Sequence, residues 1–419
     1  MNSVSCAHKE TQALNIIAFM PTGDWEGNTR RRLFLALAQK LREHGGRLLA
    51  INRPITPLVT LATKPGKLAQ WLRSRSSVEQ VERNVFTLTP FLAVHDLLAP
   101  MVPFAKAANR ALLRSAIDNA ARARLLRRDR LVVWISHPVL YYWAQLFPEA
   151  VVAYECWDAH ELFPNVQNNP LRRVMLVRQE RQLLLSADVV FATAEELVRT
   201  RGRYCPETHY VPNACDYGPF ANPKEVDEAL PGPLTAGFVG SINDAFDFEL
   251  LEYAARTLQD MQFVVIGRVT WRHASRPARK FFAAARTDPE NTHYLGPRRY
   301  TDVPGLVKQI GVCLIPFVLS ERTKSVSPNK LHEYLAAGKP VVSTDLPEVR
   351  QFRGVVYIAR SKEEPAALVR RAIAEDSPEK RKQREAVARA NTWDARAAYI
   401  IDVLRRVGER KSARKHHQP

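Results

Sequence analysis

The chain has 419 residues, of which 46% are hydrophobic and 25% charged, and its formal net charge is +18 at pH 7. This length exceeds one ordinary hydrophobic core, so the composition predicts a globular, soluble protein with two domains of about 200 residues each. The large positive charge predicts an anionic partner, which could be nucleic acid, a membrane surface or a phosphorylated substrate.

Neither a membrane span nor a disulfide framework is predicted. The longest apolar region, around 132–157, is interrupted by His137, Gln145 and Glu149, so no run of about 20 apolar residues could cross a bilayer. The N-terminus, MNSVSCAHKETQ, is polar and lacks the apolar core of a signal peptide. The five cysteines form no CxxC pair and no ligand cluster, which favours a reduced, cytosolic compartment over a disulfide scaffold or a zinc site.

Strand and helix patterns alternate through the first half of the chain. Buried-strand patterns occur in LNIIAF (14–19), RLLAIN (47–52), LVVWIS (131–136), VVAYEC (151–156) and DVVFAT (188–193). Between the first two, TRRRLFLALAQKLREHGG has leucines on one face and two glycines at its end, which predicts an amphipathic helix. Strands of this kind separated by helices indicate a parallel sheet covered on both faces.

A strongly basic segment follows an apolar one in this half. Residues 104–130 contain eight Lys or Arg against two Asp, and the apolar PFLAVHDLLAPMVPF (90–104) precedes them. Helical spacing predicts an amphipathic basic helix with an apolar face made of Phe104, Ala108, Leu112, Ile117, Ala120 and Leu125. An apolar loop beside a basic helix is typical of an interfacial membrane contact. A solvated charged helix behind a buried loop is the open alternative.

A proline-rich segment divides the alternating patterns. Residues 205–233 hold six prolines, which predicts an interdomain linker. A second alternating set follows it in TAGFVGS, FELLEYAARTL, QFVVIG, THYLG, VCLIPF, PVVST and VVYIA. Near the end, TWDARAAYIIDVLRRV (392–407) predicts a long helix, and ERKSARKHHQP after it predicts a disordered basic tail.

The predicted fold class is therefore α/β, with two tandem doubly wound, Rossmann-like domains. We expect a first domain at 1–212, a second at 213–391, a C-terminal helix at 392–410 that packs back on the first domain, and a basic tail at 411–419. In such domains ligands bind at the carboxyl ends of the strands, which predicts a site in the cleft between the two sheets.

Three loops at the ends of predicted strands suit phosphate. No P-loop, GxGxxG after the first strand, HExxH or GxSxG motif is present. Small residues after a strand let backbone amides approach an anion. The candidates are Gly240 and Ser241 in GFVGSI, Gly267 and Arg268 in VVIGR, and Gly23 and Gly27 in MPTGDWEGN. Glycine after a strand is also ordinary turn chemistry, so it is their shared place at the rim of the cleft that favours phosphate.

The stretch SVSPNKLHEYLAAGKPVVSTDLPE (325–348) predicts a helix with an unusual start. Ser327 suits the N-cap and Pro328 the first helical position, yet Lys330 stands where a capping box has Glu or Gln. A cation in the first turn opposes the helix dipole by roughly 0.3–1 kcal/mol. A bound diphosphate would make the positive charge of Lys330 favourable at this helix start. Glu333, one turn further along the helix, would then accept hydrogen bonds from sugar hydroxyls. A surface ion pair between these two residues is the alternative.

Several motifs resemble one enzyme family. TKSVSPNKLHEYLAAGKPVVSTDLPEV resembles the nucleotide-sugar-binding signature of group-1 (family 4-like) glycosyltransferases of the GT-B fold. Residues 237–269 resemble the first unit of the donor domain of that family, and 191–216 resemble its interdomain junction. In the first half, VWISHPV, YECWDAHELFP and DWEGNTRRRL resemble members that build bacterial exopolysaccharides and cell-wall polysaccharides.

The resemblance implies a GT-B glycosyltransferase that needs no metal or cofactor and uses a UDP- or GDP-sugar as co-substrate. It implies that Lys330 and Lys324 stabilise the departing diphosphate, with Arg268 a weaker candidate, and that transfer retains the anomeric configuration. It also implies that Glu333 binds the ribose or the donor sugar. The remaining donor-binding candidates are Ser327 and Asn329 at the helix start, the loop residues Gly240, Ser241, Gly267 and Gly23, and Asp24.

Two departures from the family pattern limit this transfer of roles. Many members carry two glutamates separated by seven residues, and Ser325 stands at the first of these positions. NACD (213–216) replaces the usual NGVD, so the junction has lost its glycine.

The acceptor is predicted to dock on the first domain. His137 and Asp158 end predicted strands and are expected to contact donor or acceptor hydroxyls, although a histidine before proline also suits a structural role. The basic helix beside an apolar loop suits a saccharide or a polyprenyl-diphosphate-linked saccharide at the inner face of the cell membrane. The predicted location is therefore cytoplasmic and peripheral on an anionic membrane.

Two other functions were weighed against this one. A basic nucleic-acid-binding protein would carry aromatics among its basic residues, but 104–130 has Phe104 alone and no reader motif, so nucleic acid is not predicted as a partner. A nucleotide-sugar epimerase or an inactive GT-B binding protein is the closer alternative, because the glutamate pair and the junction depart from the family pattern.

Overall fold

The structure is a computed structural model that describes residues 13–20, 24–56, 66, 78–96, 98, 99, 101–122, 130–232, 234–270 and 289–416. Gly23 and the second part of the predicted basic helix, 123–129, lie outside the described residues. The described strands form two separate sheets, and this confirms the predicted two-domain α/β fold.

Eight strands form the first sheet: β1 (Asn15–Phe19), β2 (Leu48–Ile51), β3 (Val78–Glu82), β4 (Val85–Leu88), β5 (Leu131–Ile135), β6 (Val151–Cys156), β7 (Val189–Ala192) and β8 (Thr208–Tyr210). Their order is β3-β4-β2-β1-β5-β6-β7-β8, and every pair is parallel except β3 with β4. The central strands are buried along their whole length because helices cover both faces of the sheet.

The helices described in this half are α1 (Arg31–Arg42), α2 (Ala105–Arg122), α3 (Pro164–Gln167), α4 (Pro170–Ser186) and α5 (Glu195–Arg201), and the next helix, α6 (Tyr217–Ala221), packs in the core of the second half. Short 3₁₀ helices lie at Trp25–Gly27, Pro138–Gln145 and His160–Leu162. The segment 205–233, predicted as a linker, contains both β8 and α6, so its first residues belong to the first sheet.

The apolar face predicted for α2 is wrong in its first half, where Phe104, Ala108 and Leu112 are exposed, and is confirmed at Ile117 and Ala120, which are buried. The buried side chains are those of Ala105, Asn109, Leu113, Ile117 and Ala120. Phe104 and Leu112 instead face outward, because Asn109 turns inward to bond the backbone of Val94 at both its nitrogen and its oxygen. The inward asparagine breaks the periodicity on which the prediction depended.

Six strands form the second sheet: β9 (Thr235–Val239), β10 (Gln262–Ile266), β11 (Thr292–Gly296), β12 (Val312–Ile315), β13 (Val341–Thr344) and β14 (Tyr357–Ala359). Their order is β11-β10-β9-β12-β13-β14, with all pairs parallel. The helices described here are α7 (Phe248–Thr257), α8 (Val303–Gln309), α9 (Asn329–Ala336), α10 (Pro347–Arg350), α11 (Glu364–Ala374), α12 (Pro378–Ala390) and α13 (Trp393–His416), with a 3₁₀ helix at Thr323–Ser325.

The last helix, α13, returns to the first sheet. Its residues Ala397, Ile400 and Leu404 pack in one cluster with α1 and the first sheet. Lys411 pairs with Asp188 at 2.6 Å. The prediction of a disordered tail is therefore wrong as far as His416, because the helix continues through that segment. No helix in the described ranges combines the length and the apolar character that a membrane crossing needs.

Polar contacts join the two halves beside the cleft. Glu348 of α10 accepts a hydrogen bond from the backbone N–H of Glu195 at 2.8 Å and another from the Tyr210 hydroxyl at 2.5 Å. The side-chain amide of Asn213 donates to the backbone oxygen of Ser327 at 2.7 Å. These contacts fix how the carboxyl ends of the two sheets face each other. The predicted boundary at 212/213 stays a prediction.

Candidate functional site

Two predicted glycine loops meet at the carboxyl ends of β9 and β10. The backbone N–H of Gly240 donates to Ile266 at 2.9 Å, and that of Gly267 donates to Gly296 at 2.9 Å. Gly267 has φ +149°, and a Cβ atom there would lie 1.8 Å from the carbonyl oxygen of Gly240. Only glycine permits this approach. The structure therefore brings the two predicted phosphate loops into contact.

Lys330 lies beside these loops. A Cβ atom on Gly240 would stand 3.3 Å from Cε of Lys330, so the lysine stem runs past the Gly240 loop. The Lys330 ammonium pairs with Glu333 at 2.7 Å. The carboxylate is almost fully buried, at 7% exposure, while the lysine side chain keeps 23%. The ion pair weighed as the alternative is thus present, and since an ammonium has three donors, Lys330 retains N–H groups for a second anion.

Tyr334 holds this helix in place. Its hydroxyl accepts a hydrogen bond from the backbone N–H of Val239 at 2.9 Å and lies 3.3 Å from the Val239 carbonyl oxygen. Tyr334 is fully buried, one residue after Glu333 on α9. This anchor ties α9 to the carboxyl end of β9 and so sets the position of Lys330 relative to the Gly240 loop.

A chain of contacts connects Glu333 to the first domain. The Tyr300 hydroxyl donates to Glu333 at 3.4 Å. The guanidinium of Arg32, on α1, lies 4.4 Å from the centre of the Tyr300 ring and pairs with Asp216 at 2.9 Å. Burial raises the pKa of the Asp216 carboxyl, and Arg32 opposes that rise. Tyr300 therefore lies between Glu333 on α9 and Arg32 on α1.

The start of α9 differs from the prediction. The helix begins at Asn329, and its N-cap is Pro328, which makes no capping hydrogen bond. Ser327 is not the cap, because its hydroxyl accepts instead from the backbone N–H of Asn213 at 3.1 Å. Asn329 contributes a buried Oδ1 with no hydrogen-bond partner in the described part of the chain. This acceptor is available to a ligand hydroxyl beside Lys330.

The other predicted donor-side residues lie around this cluster. Ser241 and Arg268 are exposed, on loops held side by side by a 2.9 Å hydrogen bond from the backbone of Ile242 to that of Arg268. Lys324 is exposed and pairs with Glu321 at 2.5 Å. It also lowers the pKa of Glu196 on α5, after the larger effect of Arg199, so it faces the first domain.

Asp158 enters the cleft from the first domain. It follows β6 and is buried, and its carboxylate accepts from the backbone N–H of Ala159 at 2.9 Å. Burial raises the pKa of Asp158 to about 6, and the positive charge of Arg322 opposes this rise. Arg322 in turn pairs with Asp244, in the loop that follows Gly240 and Ser241. Arg322 therefore connects Asp158 to the loop after Gly240 and Ser241. The predicted contact of Asp158 with substrate hydroxyls stays a prediction.

Arg322 contacts residues of both domains. Its guanidinium lies 4.4 Å from the ring centre of Phe163, which belongs to the first half of the chain. Only 11% of its side chain is exposed, and its Nε is buried without a hydrogen-bond partner in the described ranges. A guanidinium N–H that lacks a partner is suited to an anionic ligand.

His137 lies between two cavities of the first domain. Their volumes are about 280 Å³ and 370 Å³, and His137, Val139 and Arg172 line both. The His137 Nδ1 accepts from the backbone of Val139 at 3.2 Å. Burial, followed by the charge of Arg172, lowers the pKa of His137 to about 4, so the ring is neutral near pH 7. A neutral ring with Nε2 protonated can donate a hydrogen bond to a hydroxyl oxygen.

The first of these cavities has a basic rim and an apolar floor. Arg53 and Arg172 line the 280 Å³ cavity, and neither pairs with a carboxylate in the described residues. Phe19, Leu92 and Trp143 form the floor, below the carboxyl ends of β1 and β5. Asp24 lies further along the loop after β1 and is exposed, while Gly23 lies outside the described residues.

Sequence reasoning missed several residues of the cleft. Arg30 pairs with the buried Glu155 at 2.6 Å and donates to Asn213 at 2.6 Å, which continues the contact to Ser327. Arg322 stands two positions before Lys324, where the same search for cations could have found it. No sequence motif marks Tyr300 or Arg30, because the contacts of each residue are with partners far away in the sequence.

Comparisons with known proteins agree with this geometry. Residues 233–375 match the family model described as Glycosyl transferases group 1. TuaH of Bacillus subtilis (strain 168), whose name assigns it to teichuronic acid biosynthesis as a glycosyltransferase, is 26% identical over 284 residues, which are 64% of this chain and 70% of TuaH.

Solved structures of similar shape cover nearly the whole chain. The α,α-trehalose 6-phosphate synthase of Burkholderia multivorans superposes with a TM-score of 0.63 at 13% identity, covering 95% of this chain and 99% of that one. A trehalose-6-phosphate structure from E. coli bound with UDP-2-fluoro glucose gives a TM-score of 0.61 at 14% identity, covering 93% and 99%.

The two facing α/β domains and the similar solved structures show the GT-B fold. Over residues 233–375 the chain matches the model of the group-1 glycosyltransferases, and together with the likeness to TuaH this identifies the protein as a glycosyltransferase. The predicted resemblance to that family, the fold and the class of enzyme are thereby confirmed, while the roles of individual residues stay predictions.

Proposed function

We propose that the protein transfers a hexose from a UDP- or GDP-sugar to a saccharide or lipid-linked saccharide acceptor, in the synthesis of a bacterial surface polysaccharide or glycolipid. The observation that carries this proposal is the position of Lys330, which runs past the Gly240 loop at the carboxyl end of β9 while it pairs with Glu333. A cation, a glycine loop and a helix start converge where a diphosphate would develop negative charge.

The donor would fill the polar groups of this cluster. Lys330 and the amides near Gly240 and Gly267 would hold the diphosphate, with Lys324 and Arg268 able to approach from their exposed positions. Glu333 and the unpartnered Oδ1 of Asn329 would accept hydroxyls of the ribose or the sugar. No metal or cofactor is proposed, and retention of configuration rests on the family resemblance.

The acceptor would bind in the first domain. His137 and Asp158 are directed toward the cavities and the cleft respectively, and either can bond an acceptor hydroxyl. Arg53 and Arg172, at the rim of an apolar-floored cavity, would pair with an acceptor phosphate. In an acceptor that carries both groups, the phosphate would pair with the arginines at the rim and the apolar chain would contact the apolar floor. A lipid-linked saccharide has both groups.

An exposed apolar and basic surface of the first domain supports a cytoplasmic, peripheral membrane location. Phe104 is 90% exposed and has φ 60°, a conformation that costs an aromatic residue energy. Met101, Leu171 and Val174 are exposed by about two thirds. Helix α4 packs against Pro138–Gln145, and Arg110 of α2 donates a hydrogen bond to Gln145 of the same segment.

The reaction is tested by turnover with a panel of UDP- and GDP-sugars. We expect the wild type to transfer one of them to a lipid-linked saccharide, and Lys330→Ala and Glu333→Ala to lose most of that rate. The anomeric configuration of the product, read by NMR, tests retention. Transfer at the full rate in both variants would contradict the proposed site. Epimerisation of the donor without transfer would favour the epimerase alternative.

A further inference from the structure

A second polar cavity lies at the far edge of the second sheet. Its volume is about 440 Å³, and it borders β14, which among the described strands pairs with β13 alone. The donor loops follow β9 and β10, which are separated from β14 by β12 and β13. This cavity, called the edge pocket below, is therefore distinct from the donor site.

The edge pocket is strongly basic. Six of its lining side chains are cations and two are carboxylates: Arg350, Arg353, Arg360, Arg371, Lys380 and Arg384 against Asp345 and Glu375. Concave surfaces lined by one sign of charge focus the field and attract counter-ions.

Three of these cations are already paired. Arg350 binds Asp345 through two hydrogen bonds of 2.7 and 2.9 Å. Arg371 and Lys380 share Glu375, at 2.6 and 2.5 Å. The hydrogen bonds from Lys380 and then Arg371 lower the pKa of Glu375 to about 2, so it remains charged at any ordinary pH. These pairs lie in the wall of the pocket, and they neutralise both of its lining carboxylates.

The remaining cations differ in their partners. Arg384 is buried, pairs with Asp376 and donates to the backbone of Gly338 at 2.9 Å, so its role is structural. Arg353 and Arg360 are exposed and pair with no carboxylate in the described residues. Both act on the same carboxylate, because they lower the pKa of Asp345 after the larger effect of Arg350. Arg353 donates only to the backbone oxygen of Arg350, at 3.3 Å, among the described residues. Two guanidinium groups that pair with no described carboxylate thus line the same pocket.

An aromatic ring lies among the cations. The ring centre of Tyr357 is 5.8 Å from the Arg371 guanidinium and 5.8 Å from the Lys380 ammonium, and its hydroxyl donates to Glu375 at 2.8 Å. Ile358 and Leu368 add apolar lining. An aromatic ring beside guanidinium forks offers a surface for the C–H face of a sugar and bidentate partners for its anionic groups.

A membrane surface is a poorer match. Between 345 and 384, all of which is described, no large apolar side chain is exposed. The exposed apolar side chains near basic helices are those of the first domain, including Phe104 and Leu171. The edge pocket is concave and charged without an apolar rim, so it lacks the buried apolar area that interfacial binding needs.

We infer that the edge pocket binds an acidic glycan, whose carboxylate or phosphate groups pair with Arg353 and Arg360 while a sugar ring lies against Tyr357. This site would hold a charged saccharide chain away from the donor site, so it adds a second contact beyond the proposed transfer reaction. Occupation of the pocket requires no chemical step.

Titration calorimetry of the full chain at about 50 mM salt, where surface charges are weakly screened, tests the inference. The probes are tetragalacturonate, a phosphorylated pentamannose and neutral maltotetraose. We expect one or both acidic probes to bind and maltotetraose not to bind. Whichever acidic probe binds more tightly identifies the anion as a sugar carboxylate or a sugar phosphate.

The variant Arg353→Gln with Arg360→Gln should weaken acidic-glycan binding by at least about tenfold, because two charge-assisted contacts are lost. It removes no ion pair, so the melting temperature should stay unchanged. Arg370→Gln is the matched control, since Arg370 stands on the same helix as Arg371 but pairs with Asp260 outside the pocket. This control should bind as the wild type does.

Equal binding of the acidic probe by the double variant and the wild type would overturn the inference. Absence of binding to either acidic probe would do the same, as would a double variant that loses binding only to phosphatidylglycerol vesicles. Binding is measured without turnover, so failure here would leave the proposed transfer reaction standing, and failure of transfer would leave this result standing.

Discussion

At the scale of single residues, the cations of the cleft pair with carboxylates but keep N–H groups that make no bond. Lys330 pairs with Glu333 yet keeps donors for an anion, and Arg322 pairs with Asp244 yet keeps an unbonded Nε. Breaking a buried pair leaves an uncompensated charge, so both pairs would persist when a ligand binds. An anionic ligand would therefore be held by the N–H groups that these pairs leave free.

Asp158 gives a pH-dependent prediction. Its pKa rises on folding from an ordinary value near 3.8 to about 6, so the folded state binds the proton more tightly than the unfolded state. Its stabilising contribution is complete below pH 4 and is lost as the pH rises through 6. We expect Asp158→Asn to match the wild type in free energy of unfolding near pH 4 and to exceed it by about 3 kcal/mol near pH 8.

Urea unfolding across this pH range measures the difference. Asp402→Asn is the control, since Asp402 is exposed on α13, and its effect should not vary with pH in this way. An Asp158→Asn variant that is equally destabilised at every pH would show that the carboxylate is held by favourable contacts instead of being penalised by burial.

The predictability of single residues from sequence follows from the range of their contacts. Lys330 and Glu333 could be found because they share one helix turn and an atypical helix start. The N-cap was placed wrongly because Ser327 bonds Asn213, which is 114 positions away in the sequence. No local sequence pattern predicts a partner so far away. The contact between Tyr300 and Arg32 could not be predicted for the same reason.

At the scale of elements, the donor loops depend on close backbone contact between the ends of β9 and β10. These strands were predicted within about a residue, because runs of buried apolar residues between turn residues are strong local patterns. The first half of the α2 face was predicted wrongly, since the buried Asn109 is a polar residue of the kind that normally marks the outer side of an amphipathic helix. Burial of a polar residue depends on tertiary partners that periodicity does not record.

Gly267→Ala tests the loop contact. A Cβ at this position would meet the Gly240 carbonyl oxygen at 1.8 Å, and a φ of +149° disfavours alanine as well. We expect a loss of about 2 kcal/mol or more in free energy of unfolding, together with weaker donor binding, because the two loops must separate. Gly218→Ala is the control, since its Cβ would meet no atom within 4 Å.

Denaturant unfolding and nucleotide binding are measured on both variants. If Gly267→Ala keeps the stability and the nucleotide affinity of the Gly218→Ala control, the contact between the loops is not what shapes the donor site.

At the scale of the whole molecule, the chain separates its surfaces by chemistry. The cleft holds buried ion pairs, the first domain exposes apolar side chains beside basic helices, and the edge pocket exposes arginines with no exposed large apolar side chain between 345 and 384. The excess of positive charge predicted an anionic partner but not its number or place, because net charge carries no information on position. The fold itself was predictable from alternating patterns and from the family motif.

Membrane association is the prediction at this scale. We expect the protein to sediment with phosphatidylglycerol vesicles at low salt and less so at high salt, because basic residues lie beside the exposed apolar ones. Phe104→Ser with Leu171→Ser should weaken partitioning by at least about tenfold, since burial of each side chain contributes about 1.5–3 kcal/mol. Tyr253→Ser, which changes an exposed aromatic on the second domain, should have no effect.

Partitioning that responds to salt but not to the Phe104 and Leu171 substitutions would indicate a purely electrostatic contact elsewhere. Partitioning insensitive to both lipid charge and salt would contradict the membrane proposal as a whole.

The central claim is that Lys330 binds the diphosphate of a nucleotide sugar. Calorimetric titration of UDP, GDP and the matching monophosphates tests it most directly, on the wild type, Lys330→Ala and the control Lys308→Ala, which changes an exposed lysine of α8. For the nucleotide that binds, we predict that the diphosphate binds the wild type and the control at least about tenfold more tightly than the monophosphate, and that Lys330→Ala loses this preference. An unchanged preference in Lys330→Ala would contradict the account.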